Sequence, residues 1–193
     1  MKTIVKLFFF AAFLGLFVAC EKSDENVDQL PVSVKKSAKP HEVTVPFNAE
    51  FMGNYMPTSG VDLDMCGAYP MIRIFNEGGG TATHLGKFTH YFDFCVNDQT
   101  GEYPFDHIEA FFVAANGDTL FVKVYGRVIN GRLPHHPEDV NSYFTDPWEI
   151  LGGTGRFEGA SGGGMTDDYN RDSYPANSFH HWTGTITMKK GKK

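Results

Sequence analysis

Apolar and polar side chains alternate along much of the second half of the chain, as they do in strands with one buried face. One face of residues 119–129 carries Leu120, Val122, Val124 and Val128. One face of residues 180–188 carries His180, Trp182, Ile186 and Met188, while threonines alternate on the other. Because each stretch has one apolar side and one polar side, we predict antiparallel strands.

Turn signals separate the predicted strands at short intervals. Gly78-Gly79-Gly80 stands before the long run 81–96 and predicts a hairpin turn, as does Asn116-Gly117 further on. Further strands are predicted near 42–51, 142–151, 165–171 and 180–189. The total of about eight short strands is typical of an up-and-down barrel or a sandwich.

A glycine-rich stretch, GGTGRFEGASGGG, occupies residues 152–164 and contains seven glycines in thirteen residues. A dinucleotide fingerprint is excluded because Gly153 and Gly155 are followed by Gly159 at the wrong spacing, and a P-loop because no lysine lies between Lys123 and Lys189. The stretch therefore predicts a structural corner, in which glycines supply positive φ and close backbone approach.

This corner resembles that of dirigent proteins and allene oxide cyclases, in which a Gly-Gly-Thr-Gly-x-Phe turn leads into Gly-Ala-x-Gly and the next strand. The segment GGGTATHLGKFTHYFDF also resembles a strand pair of bacterial barrels of that kind. The resemblance implies an all-β fold, a calycin-like antiparallel barrel of eight strands over residues 42–190. The residues assigned to the structural turn are Gly152, Gly153, Gly155, Phe157, Gly159 and Gly162. The resemblance concerns shape, and it places no catalytic or binding residue of those proteins on this chain.

The first nineteen residues have the features of a secretory signal peptide. Lys2 and Lys6 precede an apolar stretch, Leu7 to Ala19, of 13 residues, which is short of the roughly 20 needed to span a bilayer. The stretch ends in Phe17-Val18-Ala19-Cys20, which resembles a bacterial lipobox and implies that Cys20 is lipidated. We therefore predict a lipoprotein signal peptide at 1–19 and a membrane anchor at Cys20.

Residues 20–41 are polar and contain Pro31 and Pro40, so we predict a flexible tether before the barrel domain at 42–190. Glu21 is not the Asp that retains lipoproteins at inner membranes, which favours the outer membrane of the cell envelope. The CEKSDE stretch resembles surface-export tags and is equally consistent with an ordinary acidic linker. Surface exposure is therefore left open.

Composition limits the classes of binding partner and indicates the redox state of the cysteines. The net charge of −6 and the lack of a basic stripe argue against nucleic acid. Eighteen Phe and eight Tyr indicate an aromatic core of the kind common in sheets. Once Cys20 carries lipid, Cys66 and Cys95 remain, and in an exported chain they form either a disulfide, which we favour, or two free buried thiols.

A ligand pocket is the main functional hypothesis. By alternation, His84, His90 and Phe92 of the long run share one face, and His180 and Trp182 share the apolar face of the last strand. Aromatic walls with a few convergent polar groups are typical of small-molecule sites. The alternative is that these histidines lie at the barrel mouth or are hydrogen-bonded in the core.

Metal and catalytic sites are not predicted. His135-His136 and His180-His181 each offer one ligand to any site if adjacent histidines on a strand point to opposite faces. Asp167-Asp168 and Asp172 are interpreted as solvated turn acids. No zinc spacing or Gly-x-Ser-x-Gly elbow occurs, so no metal, cofactor or catalytic residue is assigned.

Three functions remain open. The first is a membrane-anchored envelope protein whose barrel binds a small apolar or aromatic ligand, and the second is an isomerase or cyclase acting by confinement, as the resemblance allows. The third is a scaffold or interaction protein whose barrel is filled by its own side chains, which eight strands permit. Binding is favoured over catalysis. An open cavity inside the barrel would favour the first two functions, and a filled interior would favour the third. The oligomeric state is left open.

Lipidation of Cys20 is directly testable in a bacterial host. Radiolabelled palmitate should enter the wild-type chain and Cys66→Ala, because both retain the lipobox cysteine, and should not enter Cys20→Ala. Equal labelling of Cys20→Ala and wild type would refute the anchor.

Overall fold

A computed structural model describes residues 41–56, 59–103, 108–172 and 177–190 of the chain. The predicted signal peptide, Cys20 and all but the last residue of the tether lie outside these residues. Within them, no helix has the length and hydropathy needed to cross a membrane. The elements are β1 Glu42–Tyr55, β2 Met71–Ala82, β3 Gly86–Asn97, β4 Ile108–Ala114, β5 Thr119–Val124, β6 Ile129–Asn130, β7 Val140–Phe144, β8 Pro147–Gly153, a 3₁₀ turn Gly155–Phe157, β9 Ser161–Thr166, β10 Asp168–Arg171 and β11 Ser178–Lys189.

The sheet closes on itself. Strands β1, β2, β3, β4, β5, β8, β9 and β11 are neighbours in that order, and β11 pairs back with β1. That closing ladder is antiparallel and runs over twelve residue pairs, from Glu42 with Lys189 to Gly53 with Ser178. The predicted all-β fold, an antiparallel barrel of eight strands, is therefore confirmed.

Three short strands extend the barrel at one end. Strand β10 follows β9 after the single residue Asp167, and β7 precedes β8 across Thr145 and Asp146. The pairings β11–β10, β10–β7 and β7–β6 continue the barrel ladders past these interruptions. The inward alternation therefore persists through both interruptions, so Asp146 and Asp168 face the interior together with their apolar neighbours.

The predicted hairpin before the long run is present as β2 and β3, but its turn is not at Gly78–Gly80. These glycines lie inside β2, and the turn to β3 is formed by residues 83–85. The reason is steric, because a Cβ on Gly78 would overlap the Met52 carbonyl oxygen and one on Gly80 would overlap that of Glu50. The glycines thus serve the close packing of β2 on β1.

This shift also corrects the placement of His84. The residue lies in the β2–β3 turn with φ of 68° and an exposed side chain, outside the barrel interior. The alternation that predicted an inward His84 holds only from Gly86 onward, where β3 begins.

The glycine-rich corner closes one end of the barrel. Phe157, on the 3₁₀ turn, is fully buried beneath it. Gly152 and Gly155 have φ of 125° and 56°, values that favour glycine. The Thr154 N–H donates to the Thr119 carbonyl at 2.8 Å and fastens the corner to β5.

Aromatic and aliphatic side chains fill the half of the interior next to this corner. The Phe47 and Trp148 rings have centroids 5.1 Å apart, and the Phe88 and Phe112 rings 4.8 Å. Leu120 and Ile186 are fully buried beside them. This half therefore has the filled core expected of the scaffold alternative.

Cys66 and Cys95 form a disulfide, with Cα atoms 5.6 Å apart. The favoured prediction is confirmed, and the alternative of two free thiols is wrong. The bond ties the connection between β1 and β2 to strand β3. Arg73 adds ion pairs to Asp62 at 2.9 Å and Asp93 at 2.7 Å in the same region.

Truncating the plug of the closed end should destabilise the barrel. Phe157→Ala removes a fully buried ring, so the free energy of unfolding in urea should fall by about 3–5 kcal/mol. Leu151→Ala is the control, because its side chain is exposed and its effect should stay within about 0.5 kcal/mol. Equal effects of the two substitutions would show that the corner does not plug the barrel.

Candidate ligand-binding site at the barrel mouth

The interior becomes polar toward the end of the barrel opposite Phe157, called the mouth below. At the closed end the inward-facing residues are apolar, whereas at the mouth they carry hydrogen-bonding side chains. The buried polar residues on the barrel strands and their continuations are Asn76, His90, Ser142, Asp146, Thr166, Asp168, Asn170, Ser178 and His180. A buried polar group is costly unless it is hydrogen-bonded, so the pairing of these residues determines what the mouth can bind.

Asp168 is the centre of a hydrogen-bond network. Its side chain on β10 is 1 % exposed. Its Oδ2 accepts from His180 Nδ1 and from Trp182 Nε1, each at 2.9 Å, and its Oδ1 accepts from the His181 backbone N–H at 3.0 Å. Three N–H donors therefore hold one buried carboxylate.

The network continues along β11 and across to β2 and β3. Ser178 Oγ lies 3.1 Å from His180 Nε2, Asn76 Nδ2 donates to Ser178 Oγ at 2.9 Å, and His90 Nε2 lies 2.9 Å from Asn76 Oδ1. With Asp168 ionised, His180 carries its proton on Nδ1, so Ser178 donates to Nε2. Asn76 Oδ1 can only accept, so His90 carries its proton on Nε2 and donates to it. The hydrogen bonds then run in one direction, from His90 through Asn76, Ser178 and His180 to Asp168.

Burial sets the protonation of this region. It lowers the pKa of His90 to about 3, an effect that the nearby His180 strengthens. It raises the pKa of Tyr55 to about 12, so the phenol keeps its proton and donates to Asn170 Oδ1 at 3.0 Å. Burial also raises the pKa of Asp168, and the interaction with His180 opposes that rise.

Ser178, His180 and Asp168 have the connectivity of a serine-hydrolase triad. Ser178 is 0 % exposed, however, and its hydroxyl is already held by Asn76 and His180. A nucleophile must reach its substrate. In this conformation Ser178 therefore orients His180, and His180 donates to Asp168.

A small cavity lies beside the network. It has a volume of about 30 Å³, close to the share of one water molecule. Its walls include the rings of Phe92, Phe94 and Trp182, and its polar groups include Tyr55, Asp168 and His180.

A wider pocket adjoins this cavity and shares Tyr55 and Phe94 with it. Its volume is about 250 Å³, and Ile72, Ile74 and Val128 contribute apolar walls. We call the two volumes together the mouth pocket. It has apolar walls above a polar floor and approaches the lower end of small-molecule sites, which begin near about 300 Å³.

Four of the five predicted ligand-binding residues come together. His90 and Phe92 have ring centroids 4.8 Å apart, and His90 and His180 5.9 Å. Phe92 and Trp182 are stacked at 6.2 Å with an interplanar angle of 12°. Phe92, His180 and Trp182 line the cavity, whereas His90 reaches it through Asn76 and His84 lies elsewhere. Their role in binding stays a prediction.

Sequence reasoning missed several residues of this region. Tyr55, Asn76, Tyr103 and Asp168 line the cavity, and Ser178 supports it. Asp168 was interpreted as a solvated turn acid, which is wrong, because it faces inward on β10. The signal that could have found it is the alternation of buried positions Thr166, Asp168 and Asn170.

The prediction that His135 and His136 point to opposite faces is also wrong. Both lie in the turn after β6 rather than on a strand, and both contact Asp167, with Nε2 to carboxylate distances of 2.8 and 2.9 Å. The Leu133 N–H donates to His136 Nδ1 at 3.3 Å. His136 therefore carries its proton on Nε2, the nitrogen that a shared metal ion would need, so the geometry favours hydrogen bonds to Asp167.

Asp146 differs from Asp168 in lacking partners. It is 5 % exposed, and its Oδ1 receives only a long hydrogen bond, 3.4 Å, from the Arg127 backbone N–H. Its Oδ2 has no hydrogen-bond partner among the described residues. Burial raises the pKa of Asp146 to about 7, the Arg127 N–H opposes this, and the charge of Asp168 adds to it.

Comparisons with known proteins do not assign the chain to a family. No family model matches it, and no curated protein matches it. One solved structure, of the pterocarpan synthase dirigent protein GePTS1, is similar over 79 % of this chain and 88 % of that chain, with 17 % identity and a TM-score of 0.41. At these values the likeness indicates nothing about activity, and the barrel described above rests on its own strand pairing.

Replacing Asp146 by Asn should change how stability depends on pH. In the unfolded chain an aspartate has a pKa near about 3.9, whereas in the folded protein that of Asp146 is about 7. Between these values the folded protein keeps a proton that the unfolded chain has released, so this group lowers the free energy of unfolding as pH rises. Relative to wild type, Asp146→Asn should gain up to about 4 kcal/mol from pH 4 to 8 in urea unfolding.

His90→Gln should show the opposite trend and serves as the control. Its folded pKa of about 3 lies below the unfolded value of about 6.5, so the wild type loses stability as pH falls through this window and the variant does not. A stability difference between Asp146→Asn and wild type that does not vary with pH would contradict the raised pKa.

Proposed function

We propose that this protein is a lipid-anchored lipoprotein of the cell envelope whose barrel binds a small ligand with an apolar or aromatic body. The observation that carries the proposal is the mouth pocket, in which aliphatic and aromatic walls stand over a hydrogen-bonding floor. Such a combination gives affinity through the walls and orientation through the floor.

Ring packing holds the side chains of the pocket floor in place. Phe92 and Trp182 are nearly parallel, and Phe51 stacks on His180 with centroids 4.4 Å apart and an interplanar angle of 11°. These contacts keep the floor in one arrangement, since each ring packs against another. A ligand that enters from the mouth therefore meets rigid groups, which lowers the ordering cost of binding.

The second candidate function is an isomerase or cyclase that acts by confining its substrate, and the raised pKa of Asp146 favours it. A carboxyl group with a pKa of about 7 beside Asp168 can give or take a proton at neutral pH. Binding remains the better-supported function, because Asp146 is not among the residues that line the mouth pocket and Ser178 is fully buried. The scaffold alternative accounts for the filled closed end but not for the mouth.

The binding proposal is tested with the full chain in a non-ionic detergent, against a panel of small flat aromatic compounds. A compound at 100 times its Kd should add about 2.7 kcal/mol of stability, seen as a rise in Tm. Phe94→Ala should weaken binding by about tenfold, since Phe94 belongs to both parts of the pocket.

Met165→Ala is the matched control, because its side chain is exposed on the outer wall, and its binding should equal that of wild type. If no compound raises Tm, or if Phe94→Ala binds as well as wild type, the mouth pocket is not the binding site.

A further inference from the structure

A straight row of outward-facing side chains crosses five neighbouring strands of the barrel, from β1 to β5. In that order the residues, each paired in register with the next, are Asn54, Glu77, Tyr91, Phe111 and Phe121. Residues paired in this way lie side by side on one face of the sheet. We call these five residues the outer row, and four strand spacings give it a length of about 19 Å.

The part of the outer row on β3, β4 and β5 is aromatic and accessible. The side chains of Phe111 and Phe121 are 38 % and 40 % exposed, although residues of this type are most often buried. Tyr91 is partly buried, and its ring centroid lies 5.7 Å from that of Phe111, with an interplanar angle of 30°. The outer wall thus carries three neighbouring aromatic side chains that a ligand can reach.

The part of the outer row on β1 and β2 is hydrogen-bonding. Asn54 and Glu77 are exposed, as is Thr89 on β3. Together with Tyr91 and Phe111 they line a groove of about 500 Å³. The Glu77 carboxylate accepts hydrogen bonds, whereas the Asn54 amide and the Thr89 hydroxyl both donate and accept.

This combination of groups is suited to a sugar. A pyranose ring has an apolar face of C–H groups and a rim of hydroxyl groups that donate and accept. An aromatic ring carries partial negative charge on its face, which attracts C–H groups. Carboxylate, amide and hydroxyl side chains bond to the hydroxyl rim. The groove places both kinds of recognition group next to each other.

Charge and composition argue against other partners. The described residues that line the groove include no lysine or arginine, so a phosphate or carboxylate group would find no counter-charge there. The core of a protein interface is depleted of charged residues, whereas exposed Glu77 lies directly beside Tyr91. A neutral ligand rich in hydroxyl groups therefore fits the groove better than an anion or a protein.

Tyr91 is held in place by its neighbours. Its ring packs beside those of Phe75 and Phe111, with centroids 6.3 and 5.7 Å away. The Arg73 guanidinium lies 4.4 Å from the centroid of Phe75 and is fixed by an ion pair to Asp93 at 2.7 Å. A side chain that is ordered beforehand lowers the entropic cost of binding.

We propose that the outer row binds a neutral linear oligosaccharide, whose successive sugar rings stack on Tyr91, Phe111 and Phe121 while its hydroxyl groups bond to Glu77 and Asn54. None of these five residues lines the mouth pocket. The oligosaccharide site is therefore separate from the pocket on which the proposed function rests.

The test uses the full chain in a polyoxyethylene detergent, which has no sugar head group. Titration calorimetry compares five neutral probes, namely cellohexaose, maltohexaose, xylohexaose, mannohexaose and chitohexaose, with glucose and with the anionic hexamer of galacturonic acid. At least one neutral hexasaccharide should bind, and its Kd should be at least about tenfold below that of its own trisaccharide, because the longer chain covers more of the rings. Glucose and the anionic hexamer should bind more weakly than that hexasaccharide.

Two substitutions examine the two kinds of contact. Phe111→Ala removes an exposed ring and should weaken binding of the hexasaccharide by at least about tenfold. Glu77→Gln keeps the shape of the side chain and should weaken it by at least about fivefold. Met165→Ala and Glu50→Gln are the matched controls, because they remove an exposed apolar group and an exposed carboxylate from other parts of the outer wall. Both controls should bind as wild type does.

The outcomes separate this site from the mouth pocket and from an interface between copies. The proposal is overturned if no neutral hexasaccharide binds, if the anionic hexamer binds as tightly, or if the controls weaken binding equally. It is also overturned if Phe94→Ala abolishes sugar binding while Phe111→Ala does not, since the sugar would then occupy the mouth pocket. If the wild type sediments as an oligomer that Phe111→Ala dissociates, and no sugar binds, the outer row is an interface between copies and the proposal is wrong.

Discussion

The pairing of β11 with β1 is the constraint on which the rest of the structure depends. Its twelve residue pairs join the two ends of the sheet, so no barrel strand is left with an unpaired edge. The same ladder sets Phe51 beside His180 and Gly53 beside Ser178. Closure thereby brings together, from the two ends of the domain, the residues that form the polar network.

The interior of the closed barrel is divided between two kinds of chemistry. Near the glycine-rich corner the inward positions carry rings and aliphatic groups that fill the space, and Phe157 seals the end. Near the mouth they carry hydrogen-bonding groups, which persist because nearly all are paired to one another. The rings around His180 and Trp182 join the two halves, and they hold the donors of Asp168 in one orientation.

Two buried atoms are exceptions within this network, since neither Asp146 Oδ2 nor His90 Nδ1 has a hydrogen-bond partner among the described residues. The carboxyl group of Asp146 lies on an inward position with one long hydrogen bond, and its pKa is raised because burial disfavours the charged form more than the Arg127 N–H stabilises it. Such unpaired buried groups are uncommon in stable proteins.

Much of the fold followed from the sequence alone, because alternation and glycine chemistry are local properties. The period-two stretches at 119–129 and 180–188 determined strands with one buried face, and residues 152–164 determined a corner. The inward placement of His90, Phe92, His180 and Trp182 followed in the same way. Tertiary structure alone decided that Gly78 and Gly80 pack against β1 instead of turning the chain, which moved His84 out of the interior. It alone brought Asp168 to His180 and left Asp146 with a single long hydrogen bond, because hydrogen bonds between strands depend on register and closure, which no local pattern contains.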